Sequence, residues 1–121
     1  MWGLFIAVAA CAVAALVGAV LRRGPTLRRA PEFRVIERSG KPLERRDLLG
    51  DVWVADFVFA RCPTACPAMN SAVFELRKKL TELKVVTFTV DPEHDTPAFL
   101  NEWVKAMGLA QEGWFWGSGL A

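Results

Sequence analysis

The sequence predicts an α/β domain built on a parallel strand–helix–strand unit and tethered behind one membrane-spanning helix. Three observations predict it. An uncharged apolar run occupies Met1 to Leu21. A valine- and aromatic-rich segment, Asp51 to Phe59, is followed by an amphipathic stretch, Ala65 to Leu80, and a second β-rich run, Lys84 to Val90. A cysteine pair, Cys62 and Cys66, lies where the first of these strands hands over to the helix.

A helix crossing the hydrocarbon core of a bilayer needs about 20 apolar residues, and Trp2 to Leu21 supplies them before Arg22 and Arg23 end the run. The expectation is a membrane span or signal anchor over residues 1–21. Cleavage within the small-residue stretch Ala12 to Gly18 is the competing outcome, although no basic region precedes the apolar run. Cys11 lies inside this run and reads as a small apolar filler. The formal net charge of +2 comes largely from the pairs Arg22/Arg23 and Arg28/Arg29. Beside a span these suit a membrane surface and not nucleic acid. The same charges favour a cytoplasmic location for the segment that follows. Residues 22–32 are short and basic and contain Pro25 and Pro31, which suits an extended tether. The folded domain is expected over 33–121.

Within it, Phe33-Arg34-Val35-Ile36 reads as a short strand, Ser39-Gly40-Lys41 as a turn, and Leu43 to Leu49 as a second arm ending at Gly50. In Asp51 to Phe59, two alternating sets, Val52/Val54 and Phe57/Phe59, switch around Ala55-Asp56. The segment is expected to be a central, buried strand. In Ala65 to Leu80 the residues Met69, Val73, Leu76 and Leu80 share one helical face, while Glu75, Arg77, Lys78 and Lys79 fall mostly elsewhere. Lys84 to Val90 then returns as a parallel strand. Asp91 to Pro97 is a polar loop, with Thr96 and Pro97 placed to cap and start a helix. Phe99, Leu100, Trp103, Val104 and Met107 repeat at helical spacing, and Gly108 stands where a cap belongs. The Gly- and Trp-rich stretch from Leu109 to Ala121 shows no recognisable element, and Trp103, Trp114 and Trp116 read as packing residues.

The chemistry concentrates in Arg61-Cys62-Pro63-Thr64-Ala65-Cys66-Pro67. Crevices at the carboxyl ends of parallel strands are where open α/β sheets bind ligands. A cysteine near a helix amino terminus meets unpaired N–H groups and the positive end of the dipole, which favour the thiolate; Arg61 is placed to add to this. With three residues between them, the sulfurs lie one turn apart if the helix has begun by Cys62. Two such sulfurs can chelate a soft cation such as Cu(I) or close into a disulfide. A closed zinc site wants four ligands, and the chain offers one histidine besides these cysteines.

Asp51 to Pro67 (DVWVADFVFARCPTACP), followed after one helix by Thr87 to Pro97 (TFTVDPEHDTP), resembles the Sco/SenC family of membrane-anchored, thioredoxin-like copper proteins. The resemblance covers about Phe33 to Ser118. It implies an incomplete thioredoxin-like fold and copper bound by Cys62, Cys66 and a distant histidine. It also implies support of copper-centre assembly in cytochrome c oxidase, with an oxidase subunit as partner. The domain is then expected on the extracytoplasmic side, against the charge pattern. Thiol-disulfide exchange between Cys62 and Cys66 is the other activity implied. The family's histidine lies beyond the second motif, past Ala121. The expectation is therefore the amino-terminal, truncated part of such a protein, with copper binding impaired, a strand edge left exposed, and an inert fragment as the remaining alternative.

His94, the single histidine, sits in the loop after the Lys84 to Val90 run, on the same sheet edge as the cysteines. It is a candidate substitute copper ligand, with an exposed loop histidine as the alternative. Asp91, Glu93 and Asp95 read as turn and capping residues in preference to a hard-metal site. Asp56 either points into the site or marks a twist in its strand.

Overall fold

The computed structural model describes residues 1–21, 24 and 27–119. Arg22, Arg23 and Pro25, assigned above to the membrane surface and tether, lie outside the described residues. The chain divides into two compact units, Met1–Ala30 and Pro31–Ala121. The first holds helix α1 (Trp2–Leu21). Its mean hydropathy of 2.6 over Trp2–Val20 makes it long and apolar enough to cross a membrane. At 1.5 Å per residue its 20 residues reach about 30 Å, the thickness of a bilayer core.

The second unit is a five-stranded sheet with two helices. Its elements are β1 (Arg34–Glu37), β2 (Pro42–Glu44), a 3-10 turn (Arg45–Leu48), β3 (Trp53–Val58), α2 (Ala65–Lys79), β4 (Lys84–Thr89), α3 (Pro97–Ala106) and β5 (Trp114–Ser118). The strand order is β2-β1-β5-β4-β3. β3, β4 and β5 run parallel, Asp56 opposite Thr87 and Thr87 opposite Trp116, while β1 pairs antiparallel with both β2 and β5.

Alternation along the strands builds a core on each face. Val85, Trp114 and Trp116 join Val58, Cys66, Val73, Leu100 and Val104 on the face covered by α2 and α3. Val86, one residue on from Val85, packs with Val35, Leu43 and Leu48 on the other, where Phe33, Trp53, Phe88 and Phe115 join it. This is the period-2 consequence of the pleat. The two buried tryptophans of β5 stack at 5.1 Å, so the expected packing role for Trp114 and Trp116 holds.

Four expectations change. β3 is the outermost strand of the described sheet, with Phe57 62 % exposed, and the centre of the sheet is β5, flanked by β4 with its buried Val85, Val86 and Thr87. Nor does β3 switch faces at Ala55-Asp56: Asp56 lies on the same inner side as Val54 and Val58, a carboxylate standing where the pattern wanted an apolar residue. The stretch after Leu109 forms β5, held between β4 and β1; a run of two tryptophans, phenylalanine and glycine carries no alternation of polarity because both of its faces are covered. Finally, the arm at Leu43–Leu49 is strand only to Glu44, after which a 3-10 turn buries Leu48.

Helix α2 is rotated from the face its apolar residues suggest. Its buried positions are Cys66, Asn70, Val73 and Arg77, whereas Leu76 and Leu80 are exposed. Burial of Arg77 is offset by a hydrogen bond from each of its three nitrogens: Nε to the Leu83 carbonyl at 3.1 Å, Nη1 to Gln111 Oε1 at 3.0 Å and Nη2 to the Glu112 carbonyl at 2.5 Å. The guanidinium thereby clamps the start of β4 to the turn that leads into β5. Helix α3 follows its expected plan: Thr96 Oγ1 accepts the Phe99 N–H at 3.3 Å, Pro97 opens the first turn, and Gly108 stops the helix at φ +70°.

Candidate functional site

The cysteine loop leaves the carboxyl end of β3 beside the inward-facing Asp56. Helix α2 begins at Ala65, with Thr64 as its cap residue, so Cys62 precedes the helix and only Cys66 lies in its first turn. The one-turn spacing expected within a single helix is therefore not what unites the sulfurs. A tight bend, in which the Cys62 N–H donates to the Phe59 carbonyl at 3.1 Å, folds Cys62 back over the helix start. There the Cys66 thiol and the backbone N–H groups of Cys66, Thr64 and Ala65 lie near enough to the Cys62 sulfur to favour its thiolate.

This geometry divides the pair chemically. The Cys66 thiol, followed by those backbone N–H donors, pulls the Cys62 pKa down to about 7. Cys66 is buried, and burial first, then the neighbouring Cys62 and the negative Asp56, push its pKa up. Cys62 is thus the first of the two thiols to lose its proton, and Cys66 keeps its own to higher pH. Arg61 takes no part in this, because its Nη2 donates to Asp91 Oδ2 at 3.1 Å.

Asp56 is buried, accepts the Thr87 hydroxyl at 2.5 Å through Oδ1, and leaves Oδ2 without a partner among the described residues. Thr87 in turn accepts the Trp114 indole N–H at 2.8 Å, so a polar chain runs through three parallel strands beneath the cysteines. Burial raises the Asp56 pKa above the usual carboxylate range. Asp95, 1 % exposed, pins the loop from outside. Its Oδ2 accepts the Ala60 N–H at 2.9 Å and the Thr89 hydroxyl at 2.7 Å, and its carbonyl accepts the Ser118 hydroxyl.

His94 does not reach the cysteines' cavity. Its Nδ1 lies 2.9 Å from Asp91 Oδ1, and this contact, with Arg61, holds the Asp91 carboxyl below its ordinary pKa. Among the described residues no three of His, Cys, Asp and Glu are grouped to hold a metal. Asp91 and Asp95 act as turn and loop anchors, with the His94 and Asp95 N–H groups both donating to the Asp91 carbonyl.

A cavity of about 280 Å³ opens beside the pair, lined by Cys62, Cys66, Asn70, Trp103, Met107 and Leu109 among others. Asn70 Oδ1 is buried on its wall without a partner among the described residues. A larger depression of about 520 Å³, between Gly50–Val52 and Lys79–Leu83, holds no thiol or imidazole, so the smaller cavity is the chemical site. Neither Asn70 nor Met107 stood out as a site residue in the sequence. The signal for Asn70 was its position one turn after Cys66 on the same helix face; Met107 directly follows α3 and is brought there only by the fold.

Residues 23–117 match the SCO1/SenC family. The chain belongs to the SCO1/SenC family. It is 35% identical over 86 residues to the SCO1 protein homolog of Bacillus subtilis, covering 68% of this chain and 45% of that one. Among solved structures it is similar to BsSco, described as a member of the Sco family of cytochrome c oxidase assembly proteins with a disulfide switch. That match has a TM-score of 0.72 at 31% identity, over 82% of this chain and 60% of the other. Yeast Sco1 with copper bound matches with a TM-score of 0.64 at 25% identity, over 79% and 61% of the two chains. This SCO1/SenC chain therefore has part of the thioredoxin-like fold, as its resemblance implied, and it spans less than half the length of the curated relatives it matches.

The division of the pair makes a direct prediction for this SCO1/SenC site. In the reduced chain carrying Cys11→Ala, alkylation of Cys62 is expected to rise with pH through a midpoint of about 7. Cys66→Ala removes the largest stabiliser of the thiolate and is expected to move that midpoint up toward the ordinary thiol value of about 8.5. The midpoint is the quantity to measure: a less acidic thiol has fewer thiolates at neutral pH, but each attacks faster, which blunts the change in rate. A wild-type midpoint already near the ordinary value contradicts the assignment.

Proposed function

We propose that this chain is a membrane-tethered copper-binding accessory protein that takes Cu(I) as cargo between Cys62 and Cys66 and serves copper-centre assembly in cytochrome c oxidase. The observation that carries this is the meeting of two soft donors at one cavity, where the neighbouring Cys66 thiol helps bring the Cys62 pKa down to about 7. Thiolates select Cu(I) over the harder cations that carboxylates prefer. Binding releases the proton held on Cys66, so affinity rises with pH. An oxidase subunit is the proposed recipient, and α1 the proposed anchor, with the domain on the extracytoplasmic side. His94, engaged with Asp91, joins the cysteines as a ligand only if it leaves that carboxylate.

The test is a titration of the reduced full chain in detergent with Cu(I) against a competing chelator, beside Cys62→Ser/Cys66→Ser. Tight, one-to-one binding that the double variant lacks is the expected result; equal binding by both removes the copper assignment. Labelling Cys62 in intact cells with a membrane-impermeant maleimide reads the side of the membrane. Protection until the cells are opened places the domain in the cytoplasm.

The unequal thiols favour thiol-disulfide exchange as a second reading. The Cys62 thiolate attacks one sulfur of a partner disulfide, and the displaced partner sulfur leaves as a thiolate and takes up a proton. Cys66 then loses its proton and attacks the Cys62 sulfur of the mixed disulfide. The second partner thiol is released and the Cys62–Cys66 bond forms, so the partner is reduced by two electrons and the pair is oxidised by two. Half-buried Cys62 as attacker and buried Cys66 as resolver is the order the burial supports.

A further inference from the structure

We infer that the groove between α2 and α3 seats a short, extended, uncharged segment of a partner polypeptide, the segment whose sulfur meets Cys62, and that Asn70 hydrogen-bonds to its backbone. This rests on the reading that Cys62 meets a sulfur of a protein partner, which copper delivery to an oxidase subunit and disulfide exchange share.

The cavity of about 280 Å³ beside the cysteines has the form of a groove between two helices. One wall is the start of α2, from Cys66 and Pro67 to Asn70; the other is Trp103 of α3 with Met107 after it. Because Cys62 lines the same groove, a chain laid along it lies beside the working sulfur.

The walls select the occupant. Apart from the two cysteines, no lining side chain is ionisable, so a charged segment would lose its water without gaining a counter-charge. Apolar surface is left on the α3 wall: Trp103 is half-buried and Met107 is 52 % exposed, while Leu100 and Val104 of the same helix are buried. Covering that surface with apolar side chains is favourable. Asn70 is 4 % exposed, and its Oδ1 has no partner among the described residues. A buried acceptor in that state favours a ligand that brings a donor, and a backbone N–H is the donor that polypeptide segments carry throughout. A helix, about 10 Å across, is too wide for a cavity of this volume, which leaves an extended segment.

The probes are dithiodipyridine and two capped peptides whose single cysteine carries a pyridyl disulfide, flanked by leucine and valine in one and by serine and glycine in the other. With each, the Cys62 thiolate attacks a sulfur of the disulfide and the S–S bond breaks. The pyridinethiolate that leaves takes up a proton, and the absorbance of the thiopyridone is read. In the parent chain, carrying Cys11→Ala, reduced and in detergent, the leucine–valine peptide is expected to react at least about tenfold faster than the serine–glycine peptide, each rate taken relative to dithiodipyridine. Met107→Ser is expected to bring the two peptides within about threefold of each other. Asn70→Leu, which replaces the unpaired amide with an apolar group of similar size, is expected to slow both peptides about 3- to 10-fold relative to dithiodipyridine. Methylating the backbone nitrogens of the leucine–valine peptide one at a time is expected to find a position that slows the parent chain and not Asn70→Leu. Equal relative rates for the two peptides in the parent chain overturn the inference and leave the site reading standing. An unchanged preference in Met107→Ser together with unchanged peptide rates in Asn70→Leu also overturns it, since the peptide then binds elsewhere. A parent chain that does not react with dithiodipyridine, or a Cys62→Ser chain that reacts as fast, removes Cys62 as the working sulfur, and both readings fall together.

Discussion

Asp95→Ala is expected to lower stability by about 3 kcal/mol, a fall in melting temperature of roughly 10–25 °C for a domain of this size. The carboxylate is buried on the underside of the cysteine loop and accepts two hydrogen bonds, from the Ala60 N–H and the Thr89 hydroxyl. Bonds to a charged acceptor contribute about 1.5–3 kcal/mol each, and alanine strands both donors. Because Ala60 begins the loop that carries Cys62, the damage is expected to reach the site. The Cys62 alkylation midpoint should rise as the bend over α2 loosens. Asp95→Asn, which keeps a carbonyl acceptor without the charge, is expected to fall between the two. Thermal melts of the three proteins decide the matter, and an alanine variant within about 3 °C of wild type would refute the role given to this carboxylate.

The second large effect is expected at Gly117, where β5 crosses the face packed by Val35. A Cβ built there lies 2.6 Å from Val35 Cγ2 and 3.3 Å from its Cβ, closer than any relaxed contact. Val35 is buried, and its branched side chain has few rotamers into which to retreat. Gly117→Ala is therefore expected to cost about 2 kcal/mol through overpacking, outweighing the several tenths gained from stiffening the unfolded chain. The diagnostic is the double variant Gly117→Ala/Val35→Ala, in which the new methyl occupies space the valine gave up. Its loss should be at least about 1 kcal/mol smaller than the sum of the single losses. Strict additivity would mean that Val35 is not what excludes the methyl.

Both sites lay in plain view in the sequence without being readable as what they are. Asp95 read as one of three loop acids with turn and capping duties, because nothing local says that Ala60 will come to rest against it. Gly117 sat in a stretch that showed no element at all. Arg77 looked like a solvated lysine-and-arginine face, and only the arrival of the Leu83 and Glu112 carbonyls makes its burial tolerable. Likewise the apolar spacing of α2 pointed to Leu76 and Leu80. The helix instead turns the Cys66-Asn70-Val73-Arg77 stripe inward, since its start at Ala65 and the cysteine loop set the rotation.

By itself the sequence determined the apolar helix, the parallel unit from β3 through α2 to β4, the capped helix α3 and the placement of Cys62 and Cys66 at a strand-to-helix corner. Those follow from local physics: periodicity, capping chemistry and backbone preference act within a few residues. Tertiary structure alone decided that β5 threads between β4 and β1, that the cysteines come to one cavity through a bend and not along one helix, that Cys62 is the more acidic thiol of the two, and that Asn70 and Trp103 line that cavity. Each of these depends on groups far apart in the chain and on how much water is excluded where they meet. Hydrogen-bond partnership and desolvation are properties of a folded neighbourhood, and no short window of residues contains them.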